Sequence, residues 1–224
     1  MNVLALDTST LACTVALQSD DAMRSRHAER PREHTRLLLP MIQELLAEAG
    51  INSAQLDAVV LGNGPGSFIG MRIAASVAQG ICFASGALLV PVSSLATVAA
   101  AALRESAGQP VLVAQDAHMN EVYLAAYGGD ADAPEELWPA SLQSAGVLAG
   151  QLPGALPAGA GWQRYPDLLA ANSDWLGSPG GILYPRAEEL LRLGLRALEN
   201  GQTVAPERLE PAYLREQVAT PPAG

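Results

Sequence analysis

Three groups of residues in this 224-residue chain bring together side chains and backbone groups capable of chemistry. Asp7, Thr8, Ser9 and Thr10 close a short apolar run with a carboxylate and three hydroxyls. Such a set, with its turn amides, can hold a metal–phosphate group, or can simply satisfy the turn itself. Gly62-Asn63-Gly64-Pro65-Gly66-Ser67-Phe68-Ile69-Gly70 follows another apolar run and opens a helical pattern. A backbone nest and a helix dipole at that place can receive an anion. Glycines there also permit a tight strand-to-helix turn and close packing. The segment lacks the Lys and Ser/Thr end of a P-loop, its glycine spacing is not the dinucleotide fingerprint, and Ser67 is not in a Gly-x-Ser-x-Gly elbow. On residues alone the packing reading is favoured. Asp116 ends a third apolar run and would join Asp7 at a nucleotide cleft if the two runs are copies of one unit.

The remaining inventory is sparse. His27, His34 and His118 have no partner at metal-ligand spacing, and no Ser/His/Asp or Cys/His set can be assembled. Cys13 and Cys82 sit in apolar surroundings and read as small core residues.

These groups need elements to position them. Val3-Leu4-Ala5-Leu6 and Thr14-Val15-Ala16-Leu17 flank the first turn as a strand hairpin. Val111-Leu112-Val113-Ala114 and Val122-Tyr123-Leu124-Ala125-Ala126 flank Asp116 in the same way, about a hundred residues later. Two matching hairpins predict an internal duplication. Apolar residues at helical spacing predict helices over residues 35–49, 68–84, 94–103 and after Pro185. Pro40 predicts that the first of these starts near Leu39 or kinks. Strands are predicted at Ala58-Val59-Val60-Leu61 and Leu88-Leu89-Val90, and the chain beyond Gly128 reads as loop-rich. A frayed tail is expected over residues 220–224.

Composition bounds the function. Hydrophobic residues make up 49 % of the chain and charged ones 16 %, which excludes a disordered acidic chain. Thirteen Lys+Arg against 23 Asp+Glu give a net charge of −10, the wrong sign for gripping a nucleic-acid backbone alone. No formal charge falls between Arg72 and Arg104, but polar and helix-breaking residues interrupt that stretch. Helix, turn, buried strand and second helix explain it better than a membrane span. The reading is a soluble, cytoplasmic protein. The helix over 35–49 carries apolar residues on more than one face, covered either by its own chain or by a partner. In that over 68–84, Ile73, Val77 and Ile81 form a stripe, and Ala74, Ala75, Ser76, Ala78, Gly80, Ala84 and Ser85 let another helix approach closely.

The ordered set of motifs resembles the bacterial TsaB (YeaZ) family. It comprises Ala5 to Thr10, His34-Thr35 with Leu38 to Ile42, Gly64 to Phe68 with Gly70, Arg72 and Ile73, Pro91 to Leu95, Asp116-Ala117 with Glu121 to Tyr123, and Pro211 with Tyr213 to Arg215. The resemblance implies an α/β, two-lobed actin/hexokinase/Hsp70-like fold (ASKHA, ribonuclease-H-like) with duplicated strand hairpins. It implies a role in making threonylcarbamoyladenosine beside the tRNA anticodon. There a TsaC-type enzyme makes threonylcarbamoyl-AMP, a TsaD-type catalytic subunit pairs with the TsaB-like protein and transfers the group, and a TsaE-type ATPase joins them. The catalytic relative's metal site uses two helix-borne histidines and an aspartate; here His34 is followed by Leu37 and Leu38, so that site is not expected. Ile69, Ala74 and His118 depart from the family's usual residues.

The expectation is therefore a non-catalytic scaffold or activator with no cofactor and no metal, a lobe over residues 1–103 and a smaller one over 104–224. Leu38, Met41, Leu45, Ile73, Val77 and Ile81 are the candidate partner interface, able to form a homodimer in isolation, with tRNA reached only through the complex. Asp7, Thr8, Ser9, Gly64, Gly66, Ser67 and Asp116 are a candidate vestigial nucleotide site. The alternative is a nucleotide-binding enzyme of the same fold working through Asp7, Asp116 and the Gly64–Gly66 turn; a glycoprotease-like metallopeptidase is a weaker third.

Overall fold

The computed structural model describes residues 1–215; the predicted frayed tail lies outside the described residues. Two mixed sheets carry the fold. In the first, β1 (Val3–Asp7) runs antiparallel to β2 (Ala12–Ser19) and parallel to β4 (Ala58–Gly62). With β3 (Ala22–Glu29) and β5 (Leu88–Val92) the order is β3-β2-β1-β4-β5. In the second, β6 (Val111–Asp116) runs antiparallel to β7 (Glu121–Asp130) and parallel to β9 (Leu156–Ala158), and β8 (Ala133–Ser144) pairs with β7, giving β8-β7-β6-β9. The first four strands of each sheet share one order and one set of directions, so the duplicated hairpins are real.

Both sheets are covered on both faces, which is why β1 and β4 are buried at every position. Alternation sorts β1: Leu4 and Leu6 face a core shared with α1 (His34–Glu48) and α2 (Phe68–Ser85), while Val3 and Ala5 face α6 (Ala187–Glu199). Gly194 lets α6 lie directly on Val60, whose methyls a side chain there would strike. In the second sheet Val111 and Val113 face α3 (Ser94–Leu103), and Leu112 and Ala114 face Trp162 and Leu168 of α4 (Gly161–Arg164) and α5 (Pro166–Ala171). The Ala-rich α3 is buried almost throughout and touches α6, so these two helices form the layer between the sheets. Although it comes late in the chain, α6 belongs to the first core by packing. An ion network braces this layer: Glu189, nearly buried, accepts from Arg104 Nε at 2.9 Å and Arg192 Nη1 at 2.7 Å, and Arg104 also grips Asp132. The paired guanidinium holds the Asp132 carboxyl below its usual range.

Several sequence readings are corrected. Beyond Gly128 the chain forms β8, a twelve-residue edge strand, because Pro134 and Pro139 are tolerated where a strand's outer N–H groups have no neighbour. The edge strand β3 was likewise not foreseen. Helix α1 begins at His34, not Leu39, and carries Pro40 on its exposed side. Helix α2 is the one helix among the described residues long and apolar enough to cross a membrane. Its residues Ala74, Ala75, Ala78 and Cys82 form one wall of the first core, which accounts for its hydropathy on one side only.

Candidate functional site

Asp7 ends β1 with a carboxylate that is 1 % exposed. Its Oδ1 accepts from Ser9 N at 2.6 Å and its Oδ2 from Ser94 Oγ at 2.7 Å. Ser94 Oγ in turn accepts from Gly64 N at 3.0 Å, and Ser94 N donates to Gly64 O at 2.8 Å. Burial pushes the Asp7 carboxyl above the ordinary 3.8, with the Ser94 and Ser9 hydrogen bonds and the His34 side chain pulling the other way. The glycine-rich loop lies flat on this turn. Ser67 N donates to Ser9 O at 2.6 Å, Thr8 Oγ1 donates to Gly70 O at 2.7 Å, and Ser67 Oγ caps α2 by accepting from Gly70 N at 3.2 Å.

The glycines now have a packing reason. A Cβ at Gly62 would strike the Asp7 carboxylate, one at Gly66 the Ser9 carbonyl, and one at Gly70 the Thr8 carbonyl. Asp7, Thr8, Ser9, Gly64, Gly66 and Ser67 are thus brought together. The amides of Ser9, Gly64, Ser67 and Gly70 donate to the chain itself. Because the Thr8 carbonyl is backbone and cannot swing away, Gly70→Ala should lower unfolding stability by about 3 kcal/mol. Urea denaturation checks this.

Asp116 repeats the turn. Its Oδ1 accepts from His118 N at 2.8 Å, as Asp7 accepts from Ser9 N, and also from Tyr165 OH at 2.7 Å. Burial and then the Asp116 hydrogen bond push the Tyr165 hydroxyl up to about 12. Asp116 is more open than Asp7, with its side chain 26 % exposed, and the two aspartates share no hydrogen-bonding partner. His118, Met119 and Asn120 all take left-handed backbone in this tight turn. Among the described residues no group of three His, Cys, Asp or Glu side chains could hold a metal ion. Both cysteines are buried thiols, raised by burial to about 12 at Cys13 and about 11 at Cys82.

The second candidate surface is the outer side of α1 and α2. Leu38 and Leu45 are 1 % and 0 % exposed and face the sheet with Ile42, so they are core residues and have no surface to offer a partner. Met41, Ile73, Val77 and Ile81 are half-buried along the rim of that core. At 100° per residue the outermost line of α2 is instead Ile69, Ser76, Gly80, Phe83 and Ala84, all exposed, with Ile69 at 70 % and Phe83 at 63 %. The small residues Ser76, Gly80 and Ala84 are those that the sequence offers for close helix approach; Ile69 and Phe83 escaped sequence reading because small and polar residues separate them. The signal available was that Ile69 and Phe83, fourteen residues apart, fall on one helical face with Ser76 and Gly80.

The geometry so far is of a duplicated fold with a closed turn site and an exposed apolar helix. Compared with known proteins, the chain is 38 % identical to the tRNA threonylcarbamoyladenosine biosynthesis protein TsaB of Escherichia coli (strain K12), over 98 % of this chain and 96 % of that protein. The chain belongs to the TsaB family. It is also 34 % identical to the TsaB protein of Haemophilus influenzae (strain ATCC 51907 / DSM 11121 / KW20 / Rd), over 97 % of this chain and 95 % of that one. The solved structure described as YeaZ from Pseudomonas aeruginosa superposes with a TM-score of 0.83 at 35 % identity, covering 95 % of this chain and 99 % of that one. A second Pseudomonas aeruginosa structure, described as an uncharacterized protein with similarity to peptidase YEAZ, gives 0.86 at 36 % identity, with 96 % and 99 % covered. The family model for TsaD, tRNA N6-adenosine threonylcarbamoyltransferase, matches residues 28–138. The TsaB family resemblance and the two-lobed fold class therefore hold. The chain is a member of a family of tRNA threonylcarbamoyladenosine biosynthesis proteins, and residues 28–138 of it match the family model of the transferase.

Proposed function

We propose that this chain is a non-catalytic scaffold of tRNA threonylcarbamoylation, acting in the cytoplasm. It seats a TsaD-type catalytic subunit on the α1/α2 surface, and a TsaE-type ATPase joins the pair. In isolation the same surface pairs two copies of the chain, and tRNA is engaged through the assembled complex. One observation carries this reading: α2 is an eighteen-residue apolar helix with only a third of its length buried, standing beside a turn site that its own loop has closed. An apolar face of that extent on a monomer is the ordinary mark of a protein interface. The half-buried Met41, Ile73, Val77 and Ile81 flank it.

Reconstitution tests the role. tRNA threonylcarbamoylation by a TsaD-type subunit, a TsaE-type ATPase and supplied threonylcarbamoyl-AMP is expected to require this chain. It is expected to proceed with the Asp7→Asn and Asp116→Asn variants, because neither carboxylate is assigned a step. A requirement for either aspartate in a complex that still assembles would assign the chain a working site. Tight Mg-ATP binding by the isolated chain, lost in Asp7→Asn, would support the nucleotide-binding enzyme instead.

A further inference from the structure

The Pro211, Tyr213, Leu214 and Arg215 motif has no part in either surface described so far. After α6 the chain runs back along the outer flank of α2. Val204 N donates to Leu89 O at 2.9 Å beside β5, and Pro206 O accepts from Gln79 Nε2 at 2.7 Å. Leu209 enters the first core. Glu210 O then accepts from Asn63 Nδ2 at 3.0 Å, and Ala212 N donates to Asn63 O at 3.1 Å, tying the segment to the glycine-rich loop. Tyr213 OH accepts from Arg72 Nε at 3.0 Å, the Arg72 guanidinium lies 3.7 Å from the centre of the Phe68 ring, and the Phe68 and Tyr213 rings are 5.2 Å apart. One residue further on, Leu214 packs on the second core. Arg215 Nη2 donates to Ala117 O at 2.8 Å and to Glu121 Oε2 at 2.5 Å, and Nη1 reaches Met119 Sδ, all on the second hairpin.

Two arginines thus tie the C-terminal end of one short segment to both halves of the molecule: Arg72 holds Tyr213 against the start of α2, and Arg215 holds the chain two residues on against the β6–β7 turn. On the reading of α2 as a docking helix, we propose that residues 204–215 are a strap whose positioning residues Arg72, Tyr213 and Arg215 hold the docking face at a fixed attitude to the second sheet. A partner seated on α2 is then registered against both halves of the molecule at once. Gln79 and Arg72, seven residues apart, both lie on the flank of α2 that the strap covers, so the strap leaves the Ile69–Gly80–Phe83 crest open.

The test is a double-mutant cycle of Arg72→Ala and Arg215→Ala on affinity for a purified TsaD-type subunit, with amide hydrogen exchange on each variant alone. The two arginines share no partner, so independent effects would multiply. A strap that works only when tied to both halves predicts that each single variant weakens binding about fivefold and the double variant by the same factor, not by about twenty-five. It also predicts that Arg215→Ala speeds exchange in residues 64–72 as well as in residues 117–121. Multiplying effects, or faster exchange confined to residues 117–121, would overturn the strap. If the unaltered chain fails to bind the subunit, the docking reading falls and exchange alone decides the coupling. Should Arg215→Ala not fold, Glu121→Gln, which loosens the same anchor while keeping its shape, replaces it in both measurements.

Discussion

Gly80→Arg is expected to leave the isolated chain folded, with a thermal midpoint no lower than that of the unaltered protein, and to abolish its complex with a TsaD-type subunit. Gly80 lies inside α2 with ordinary helical backbone, and a Cβ there meets nothing within 4 Å. Replacing a helix-interior glycine with a good helix former stabilises the helix by about 0.8 kcal/mol. The monomer therefore gains slightly. On the crest, Ser76, Gly80 and Ala84 form a track of small side chains beside Ile69 and Phe83, along which another helix can approach closely. A guanidinium in that track must either be buried without a partner or hold the surfaces apart. Either outcome weakens association by several kcal/mol, a hundredfold or more in Kd. Val77→Glu is a less discriminating variant, because Val77 is half-buried on the chain's own core and its loss also strains the monomer. Gel filtration of the mixed proteins and a thermal scan of the variant separate the two effects. A retained complex would remove the crest from the interface.

The contrast between Gly80 and Gly70, ten residues apart on one helix, shows what sequence reading can and cannot supply. Both are glycines in a stretch of small residues. At Gly70 a side chain collides with the Thr8 carbonyl from a turn more than sixty residues earlier; at Gly80 it points into solvent. Helical spacing located α1 and α2 almost to the residue, since apolar periodicity is a local property. It could not say which face of a helix apolar on more than one side the sheet would take. In α1 the sheet took Leu38, Ile42 and Leu45, removing two residues that spacing had offered to a partner. The Asp7 and Asp116 hairpins were legible because strand, aspartate, turn and strand are contiguous in the chain. Closure of the first by the Gly64–Gly70 loop, and the later fastening of that loop by Asn63, Arg72 and the strap, depend on contacts across the whole chain. The edge strands β3 and β8 were missed for a related reason. Half-exposed strands carry charges and prolines that read as loop until a neighbouring strand is in place.

Asp7→Asn provides the second test with a large expected effect, and its sign separates a structural turn from a working site. Burial raises the folded-state pKa of Asp7 above 3.8, so at intermediate pH the folded chain keeps a proton that the unfolded chain has lost. Unfolding then releases that proton, and stability falls as pH rises, by at most about 1.4 kcal/mol per pH unit from this one group. The contribution is complete below 3.8, declines through the window between 3.8 and the raised value, and is gone above it. Asparagine keeps the acceptor for Ser9 N but cannot titrate. The stability of the unaltered protein minus that of Asp7→Asn should therefore be greatest in acid, shrink with rising pH, and level off above the raised pKa, as measured by urea unfolding across a pH series. A difference that instead grows with pH would mean that the hydrogen bonds of Ser9 and Ser94 outweigh burial and hold Asp7 ionised. A buried carboxylate kept charged by donors is prepared to receive a cation, and the turn would then be a binding site in its own right. A carboxyl that keeps its proton on folding is poorly suited to that role, and fits a turn retained for the packing of the loop that closes it.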